Sequence, residues 1–114
     1  MKLIVYMPTF NEEENIRQVI ASLPQTLDQI DIIQHLVVDD GSTDQTAEFS
    51  INSGAKVVSH AVNHGVGRAF QSAVQFALEN DADILVGIDA DGQFDPSEIP
   101  ALIKPIISKS VWGL

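Results

Sequence analysis

Four short apolar runs, separated by segments with helical periodicity, constrain the fold of this chain more than any other feature of its sequence. The runs are rich in β-branched residues, nearly continuous rather than alternating, and cover residues 3–7, 35–38, 55–59 and 84–88. Continuous apolar runs are typical of strands buried on both faces, as in a parallel sheet. We therefore expect four buried parallel strands.

Helical signals fill the gaps between the runs. Asn11 with Glu14, and Ser42 with Gln45, have the spacing of capping boxes, and Gly54 suits the end of the second helix. The first helix then has an apolar face at i, i+3, i+4 and i+7, formed by Ile16, Val19, Ile20 and Leu23. The segment 23–34 is expected to be a loop or an extra helical turn.

Two further helices complete the pattern. The third is predicted over residues 67–79, and the fourth starts where Asp95 is followed by Pro96, with Pro105 expected to end or kink it. The apolar side of the third helix is predicted to consist of Phe70, Val74, Ala77 and Leu78. The order β-α-β-α-β-α-β-α predicts an α/β fold, a doubly wound, mainly parallel sheet with flanking helices.

Composition limits the partners. The chain has 114 residues, with 16 acids against 6 bases and a net charge of −10. Nucleic acid would be repelled, so we expect no nucleic-acid partner. An anionic ligand would need a metal ion, a helix N-terminus or a placed Arg. With no cysteine, no signal peptide and no apolar run of membrane-spanning length, we expect a soluble, cytoplasmic domain.

Polar loops follow all four predicted strands. Because parallel strands point the same way, these loops should share the edge of the sheet where open α/β sheets bind ligands. The loops carry Pro8-Thr9-Phe10-Asn11-Glu12, Asp39-Asp40-Gly41-Ser42, Asn63-His64-Gly65-Val66-Gly67-Arg68 and Asp89-Ala90-Asp91-Gly92-Gln93. This convergence predicts a ligand site.

The Asp89-x-Asp91 pair indicates a cation. In an extended segment the two carboxylates face the same way and repel each other unless a cation lies between them, and Gln93 adds a neutral oxygen two residues on. Hard divalent cations take such oxygen ligands, often together with substrate phosphates. A surface Asp-x-Asp-Gly turn without function explains the same residues.

The other loops are less specific. Either acid of Asp39-Asp40 could cap the next helix, or Asp40 could accept hydrogen bonds from a nucleobase. Gly65 and Gly67 allow close backbone approach at a helix N-terminus that favours anions, and Arg68 is either a phosphate contact or a solvated side chain. The histidines have no metal-ligand spacing, and His60 and His64 are expected near this edge without a ligand role.

Taken together, the four motifs resemble family 2 glycosyltransferases, especially the branch of dolichyl-phosphate mannose or glucose synthases. The matching segments are MPTFNEE at 7–13, VVDDGSTD at 37–44, NHGVG at 63–67 and DADGQ at 89–93. They occur in order, at family-like spacing, over nearly the whole chain. Phe10 stands where the family often has Tyr.

The resemblance implies a GT-A fold and a nucleotide-diphosphate-sugar donor, a GDP- or UDP-sugar. It implies that Pro8, Thr9, Glu12 and Asp40 hold the nucleoside, and that Asp89 and Asp91, with Gln93, hold Mg²⁺ or Mn²⁺ on the diphosphate. The full set of expected donor-binding residues is Pro8, Thr9, Asn11, Glu12, Asp40, Gly65, Gly67, Arg68, Asp89, Ala90 and Asp91.

The chain departs from the family at its C-terminal side. Family enzymes invert the anomeric centre with a carboxylate base well beyond the Asp-x-Asp segment, whereas here 23 residues follow Asp91 (114 − 91), and the tail with Trp112 supplies no base. We therefore expect one nucleotide-sugar-binding domain, residues 1–114, truncated at its C-terminus, with no catalytic residue identifiable. In a full-length context, membrane association on the cytoplasmic face and a lipid-phosphate or glycan acceptor are expected.

Alternatives remain at this point. Residues 87–98 fit a calcium-binding loop in part, but begin with Gly87. A haloacid-dehalogenase phosphatase or a phospho-acceptor receiver would carry its acids after the first strand. A non-catalytic donor-binding or scaffold module is the main rival. A homo-oligomer through the open sheet edge after the fourth strand is also expected.

Overall fold

The computed structural model describes residues 1–107, which form a parallel sheet between two helical layers. Trp112 and the rest of the tail, 108–114, lie outside the described residues. The strands are β1 (Lys2–Thr9), β2 (Ile32–Asp39), β3 (Lys56–Ser59) and β4 (Ile84–Gly87), and the helices are α1 (Ile16–Ser22), α2 (Thr46–Asn52), α3 (Val66–Glu79) and α4 (Ile99–Ile107). The predicted α/β class and element order are confirmed.

The sheet order is β3-β2-β1-β4, and every pairing is parallel. β1 and β2 pair over their full lengths, from Lys2 with Ile32 to Thr9 with Asp39. The chain first adds strands on one side of β1 and then crosses to the other side for β4. The direction of winding therefore reverses between β1 and β4, which is the position where such sheets bind ligands.

Two apolar clusters cover the two faces of the sheet. Alternate residues of β1 divide between them, with Leu3, Val5 and Met7 on one face and Ile4 on the other. Helices α1 and α4 pack on the first face, and Arg17 of α1 stacks over the ring of Phe49 of α2, 4.1 Å from its centroid. Helix α3 covers the second face.

Several local predictions were wrong in detail. Helix α1 begins after Asn15 instead of Asn11, so Glu12, Glu13 and Glu14 precede its first turn. Residues 32–34 extend β2 instead of forming loop or helix. Helix α4 continues through Pro105 to Ile107, because a proline removes only one backbone donor from a helix that is otherwise packed on the core. The cap at Asp95 is confirmed, since its carboxylate accepts from Ser97 N at 3.0 Å.

The buried face of helix α3 shares only Ala77 with the apolar side that was predicted. Its buried residues are Ala69, Ala73 and Ala77, whereas Phe70 and Leu78 are 53% and 75% exposed. The small alanines let the helix approach the sheet closely, and they form a stripe at a spacing of four. Leu78 therefore points into solvent, whereas the half-exposed ring of Phe70 lies 6.5 Å from that of Tyr6 in β1.

The packing of α3 predicts opposite sensitivities on its two faces. Ala73→Leu inserts volume into a filled interface and should lower the free energy of unfolding by about 1–3 kcal/mol. Leu78→Gln should change it by less than about 0.5 kcal/mol, because the side chain is already in solvent. Urea denaturation of the two variants checks this, and a larger loss in Leu78→Gln would contradict the observed face.

Candidate donor-binding site

The predicted site lies where β1 and β4 separate. Backbone groups of even-numbered residues in β1 face β4, as shown by Asp83 N on Lys2 O and Ile88 N on Tyr6 O. Pro8 has no N–H to offer on that side, but β4 has already ended at Gly87, so no ladder bond is lost. The proline thus marks the point where the sheet opens into a crevice.

The two acids at the end of β2 have separate tasks. Asp39 Oδ1 accepts from Ser42 N at 3.1 Å and shapes its own loop. Asp40 reaches the next loop along the chain, since its Oδ1 accepts from His64 N at 2.8 Å and its Oδ2 from Gly65 N at 2.7 Å. Neither acid therefore caps α2, as the sequence had allowed: Asp39 stays within its own loop, and Asp40 organises the entry to α3.

Gly41 lets the same two loops pack against each other. Its φ is +81°, and a Cβ at this position would lie 2.6 Å from the carbonyl carbon of Val62 and 2.7 Å from Asn63 N. Both the left-handed conformation and the backbone contact therefore require glycine here. Asp40 and Gly41 together hold the loop between β3 and α3.

The loops after β1 and β2 are joined by a ladder of side-chain to backbone hydrogen bonds. They link residues about 31–34 positions apart, and donors and acceptors come from both loops. The bonds are Asn11 N to Ser42 Oγ (2.8 Å), Thr43 N to Asn11 Oδ1 (2.8 Å), Glu12 N to Thr46 Oγ1 (2.9 Å), Glu13 N to Asp44 Oδ2 (3.2 Å) and Gln45 N to Glu13 Oε2 (2.9 Å). We call this set the loop clamp.

The loop clamp corrects both predicted capping boxes. Ser42 and Gln45 do not cap α2, which begins at Thr46 with the Asp44 carboxylate accepting from Thr46 N at 3.0 Å. Asn11, at φ 52°, accepts from Thr43 instead of capping α1. Such cross-loop bonds leave no local signal, because each partner is also a common capping residue.

Several expected donor-binding side chains are engaged within the protein. Thr9 is 4% exposed, and its hydroxyl donates to Val38 O at 3.3 Å. Asn11 belongs to the loop clamp, and Glu12 Oε2 accepts from Asn15 Nδ2 at 3.1 Å. Contacts of Pro8, Thr9, Asn11 and Glu12 with a donor stay predictions.

The acids after β4 are exposed and adjoin one cleft. Asp89, Asp91 and Gln93 are all exposed, whereas Ala90 between the two acids is buried. Asp91 Oδ1 accepts from Gln93 N at 3.0 Å, which shapes the turn at Gly92. A cleft of about 310 Å³ opens between α1 and this segment, and its lining includes Asp89, Asp91 and the polar side chains of Asn15, Gln18 and Ser22.

The N-terminus of α3 lies at the same edge of the sheet. Gly65 precedes the helix with φ 91° and ψ 176°, and no side chain caps the first turn. Gly67 has open space around its Cα, and Arg68 is exposed, without a hydrogen-bond or ion-pair partner within residues 1–107. Free N–H groups and an available guanidinium suit an anion.

Sequence reasoning placed His60 near this edge of the sheet but missed its contacts, and it missed Ser72 entirely. His60 Nδ1 lies 2.8 Å from Asp40 Oδ1, its Nε2 lies 2.7 Å from Ser72 Oγ, and its ring meets that of His64 edge-on at 5.6 Å. The signal available in the sequence was that His60 directly follows β3. The end of β3 lies beside the end of β2, and His60 N donates to Asp39 O at 2.8 Å. Parallel strand ends bring such residues together.

The sequence matches the family model described as glycosyl transferase family 2 over residues 4–112. The chain belongs to glycosyltransferase family 2. It is 32% identical over 111 residues to an undecaprenyl-phosphate mannosyltransferase of Micrococcus luteus, covering 93% of this chain and 44% of that protein. It is 37% identical over 128 residues to a UDP-N-acetylglucosamine–dolichyl-phosphate N-acetylglucosaminyltransferase of Methanococcus voltae, covering 96% and 49%.

The fold also matches that of a solved structure. Glucosyl-3-phosphoglycerate synthase of Mycobacterium tuberculosis, solved with Mn²⁺, UDP and glucosyl-3-phosphoglycerate, superimposes with a TM-score of 0.74 at 34% identity, covering 94% of this chain and 40% of that one. The GT-A-type sheet expected from the resemblance is confirmed. The family 2 chain spans less than half the length of the proteins it matches here.

The calcium-loop alternative loses support in this setting. A strand precedes Asp89 where an EF-hand has a helix. Within residues 1–107, no three His, Cys, Asp or Glu side chains converge as a ready metal cage. No helix in the described part of the chain is long and apolar enough to cross a membrane.

The buried acids of the site are stabilised as carboxylates. Burial alone would raise the pKa of Asp40, but hydrogen bonds from His60, His64 and Gly65 outweigh it and hold the pKa below its usual value. At Asp44, burial is likewise opposed by hydrogen bonds from Thr46 and Glu13, and its pKa is also lowered. Both groups therefore favour the folded state when ionised.

These shifts predict acid sensitivity. A carboxyl whose pKa is lowered on folding contributes stability fully above its unfolded pKa, near 4, and loses it as the pH falls through the lower folded value. These two carboxyls therefore predict a melting temperature that falls below about pH 4. Asp44→Asn should flatten that acid limb, and exposed Asp28→Asn serves as the charge-matched control. An acid limb unchanged by Asp44→Asn would contradict this assignment.

The packing of Gly41 predicts that alanine is poorly tolerated. Gly41→Ala adds left-handed strain of about 1–3 kcal/mol and a backbone clash of similar cost, so unfolding should become easier by about 3 kcal/mol or more. Gly54→Ala is the matched control, because Gly54 has φ 95° and open space around it, and should cost about 1 kcal/mol. Denaturant titration distinguishes the two; equal losses would rule out the contact with residues 62 and 63.

Proposed function

We propose that this chain is the donor-binding part of a family 2 glycosyltransferase and binds a nucleotide-diphosphate sugar through a divalent cation. The observation that carries the proposal is the meeting of Asp40, the uncapped N-terminus of α3 and the Asp89–Asp91 pair at one edge of the sheet, beside the point where its winding reverses. These groups suit a nucleobase, a phosphate and a cation respectively.

The residues present fit Mg²⁺ or Mn²⁺. Asp89 has no hydrogen-bond partner within residues 1–107, and Asp91 uses one oxygen for Gln93 N, so oxygen lone pairs remain available on both acids. Two protein carboxylates with substrate phosphate oxygens are a usual arrangement for such a cation. Gln93 adds a neutral oxygen. When bound, the cation supplies positive charge that stabilises the leaving diphosphate.

Other residues act on the rest of the donor in this proposal. Asp40 accepts from the base, and Pro8, Thr9 and Glu12 lie beside the nucleoside, with Asn11 holding their loop. The α3 N-terminus with Gly65, Gly67 and Arg68 faces the diphosphate, which offsets part of the −10 charge of the chain. Ala90 forms the floor between the two cation ligands.

The relatives support the proposed reaction and acceptor. Two of them are named as transferases to undecaprenyl phosphate and dolichyl phosphate, which supports a polyprenyl-phosphate acceptor, and the UDP in the mycobacterial structure supports a uridine donor. We propose inverting transfer of the sugar, at the cytoplasmic face of the membrane, in the full-length context. The alternative is a non-catalytic donor-binding module. It stays an alternative because this chain matches less than half the length of each relative named above.

Donor binding is tested by calorimetric titration of UDP and GDP, with Mn²⁺ and with chelator. We expect cation-dependent binding that weakens at least about tenfold in Asp89→Asn and Asp91→Asn, because each change removes a charged ligand. Glu79→Gln, at the far end of α3, is the charge-matched control and should bind normally.

Two results would change the proposal. Folded protein that binds neither nucleotide would refute a donor site. Cation-dependent binding without transfer of sugar to a polyprenyl phosphate would favour the non-catalytic module for this chain. Circular dichroism of every variant confirms that it is folded.

A further inference from the structure

Ser72, His60 and Asp40 form a chain of hydrogen bonds. Donor binding as outlined above uses Asp40 but gives no role to His60 or Ser72. The links are 2.7 Å between Ser72 Oγ and His60 Nε2, and 2.8 Å between His60 Nδ1 and Asp40 Oδ1. The side chains of His60 and Asp40 are only 9% and 8% exposed. Such a buried polar chain is stabilising only if each member is satisfied, so its geometry is tightly fixed.

The chemistry of the partners sets the direction of these bonds. An ionised carboxylate can only accept, so His60 Nδ1 carries the proton that faces Asp40. In the neutral imidazole, Nε2 is then the acceptor and the Ser72 hydroxyl donates to it. Asp40 therefore fixes the tautomer of His60, and the Ser72 hydroxyl adapts to that tautomer and helps to hold the plane of the ring.

The remaining capacity of Asp40 can be counted. Oδ1 accepts from His60 and from His64 N, whereas Oδ2 accepts from Gly65 N alone. With two acceptor positions on each oxygen, Oδ1 is filled and Oδ2 keeps one. The bonds from His60, His64 N and Gly65 N together hold the carboxylate, and that from His60 is the one made by a side chain, so this last position has a fixed direction.

The order Ser-His-Asp is also that of a hydrolytic triad, but the surroundings of Ser72 do not suit hydrolysis. Ser72 lies in the middle of α3, where backbone N–H groups are used by helical hydrogen bonds. A serine nucleophile needs free donors nearby for the oxyanion. The chain of bonds therefore acts on Asp40 and not through Ser72.

We propose that His60, held by Ser72, is a positioning residue that directs the open acceptor position of Asp40 Oδ2 toward the imide N–H of a uracil or guanine base. Cytosine and adenine have an acceptor nitrogen where uracil and guanine have the imide N–H. The chain of hydrogen bonds from Ser72 through His60 to Asp40, which we call the relay, therefore sets the base preference of the site. This inference rests on the proposed donor binding.

The test uses calorimetry with Mn²⁺ to compare the binding of UDP with that of N3-methyl-UDP, which lacks the imide donor. If the protein binds GDP in preference to UDP, GDP and N1-methyl-GDP are compared instead. Wild type should bind the unmethylated nucleotide about tenfold tighter or more. His60→Leu should reduce that ratio to about twofold to threefold. His60→Asn, whose amide can replace Nδ1 as donor, should keep most of it. Ser72→Ala should lower the ratio about twofold, and Ser53→Ala, also half-buried, should not.

The outcomes separate this inference from the donor site itself. A folded His60→Leu that binds both nucleotides more weakly by the same factor would overturn the positioning role and leave His60 as a structural residue. Equal binding of both nucleotides by wild type would overturn it while keeping the donor site. If His60→Leu does not fold, the ratio in Ser72→Ala decides, and an unchanged ratio counts against the relay. Absence of nucleotide binding by wild type refutes both proposals.

Discussion

The ionised carboxylate of Asp40 is the constraint on which the rest of this edge of the sheet depends. It sits at the end of β2 with 6% of its surface exposed, and only its hydrogen bonds make a charge acceptable there. Three donors from residues 60–65 supply those bonds and fix the loop that leads into α3. The helix N-terminus is thereby placed at the crevice, and Gly41 allows the backbone to come close enough.

The loop clamp repeats this logic between the first two strands. Asn11, an expected donor-binding residue, and Ser42, an expected capping residue, hydrogen-bond each other's loops. The first three loops are thus joined by hydrogen bonds from side chains: the clamp joins the first to the second, and Asp40 joins the second to the third.

Local sequence pattern predicted most of the strands and helices but fewer of the contacts within the candidate site. The apolar runs predicted four parallel strands, although the edge strand β3 is only partly buried. The polar residues after the strands predicted that the four loops share one edge of the sheet, because parallel strands leave no other arrangement. Local pattern failed where bonds cross the chain: Ser42 and Asn11 are 31 positions apart, and His60 and Ser72 meet only after β3 and α3 are packed. On α3 it predicted Ala77 correctly but missed Ala69 and Ala73, because close packing against the sheet favours small residues over the larger Phe70 and Leu78.

Hydrogen bonding divides the acids of the site into two kinds, and this division explains how a chain of net charge −10 suits an anionic donor. Asp40 and Asp44 are partly or fully buried, and N–H or O–H donors stabilise their charge within the protein. Asp89 and Asp91 are exposed, and the only bond to them from residues 1–107 is that from Gln93 N. In the proposed donor site, their uncompensated charge attracts a cation, and the cation then contacts the diphosphate. The first pair of acids builds the site, and a divalent cation would neutralise the charge of the second pair.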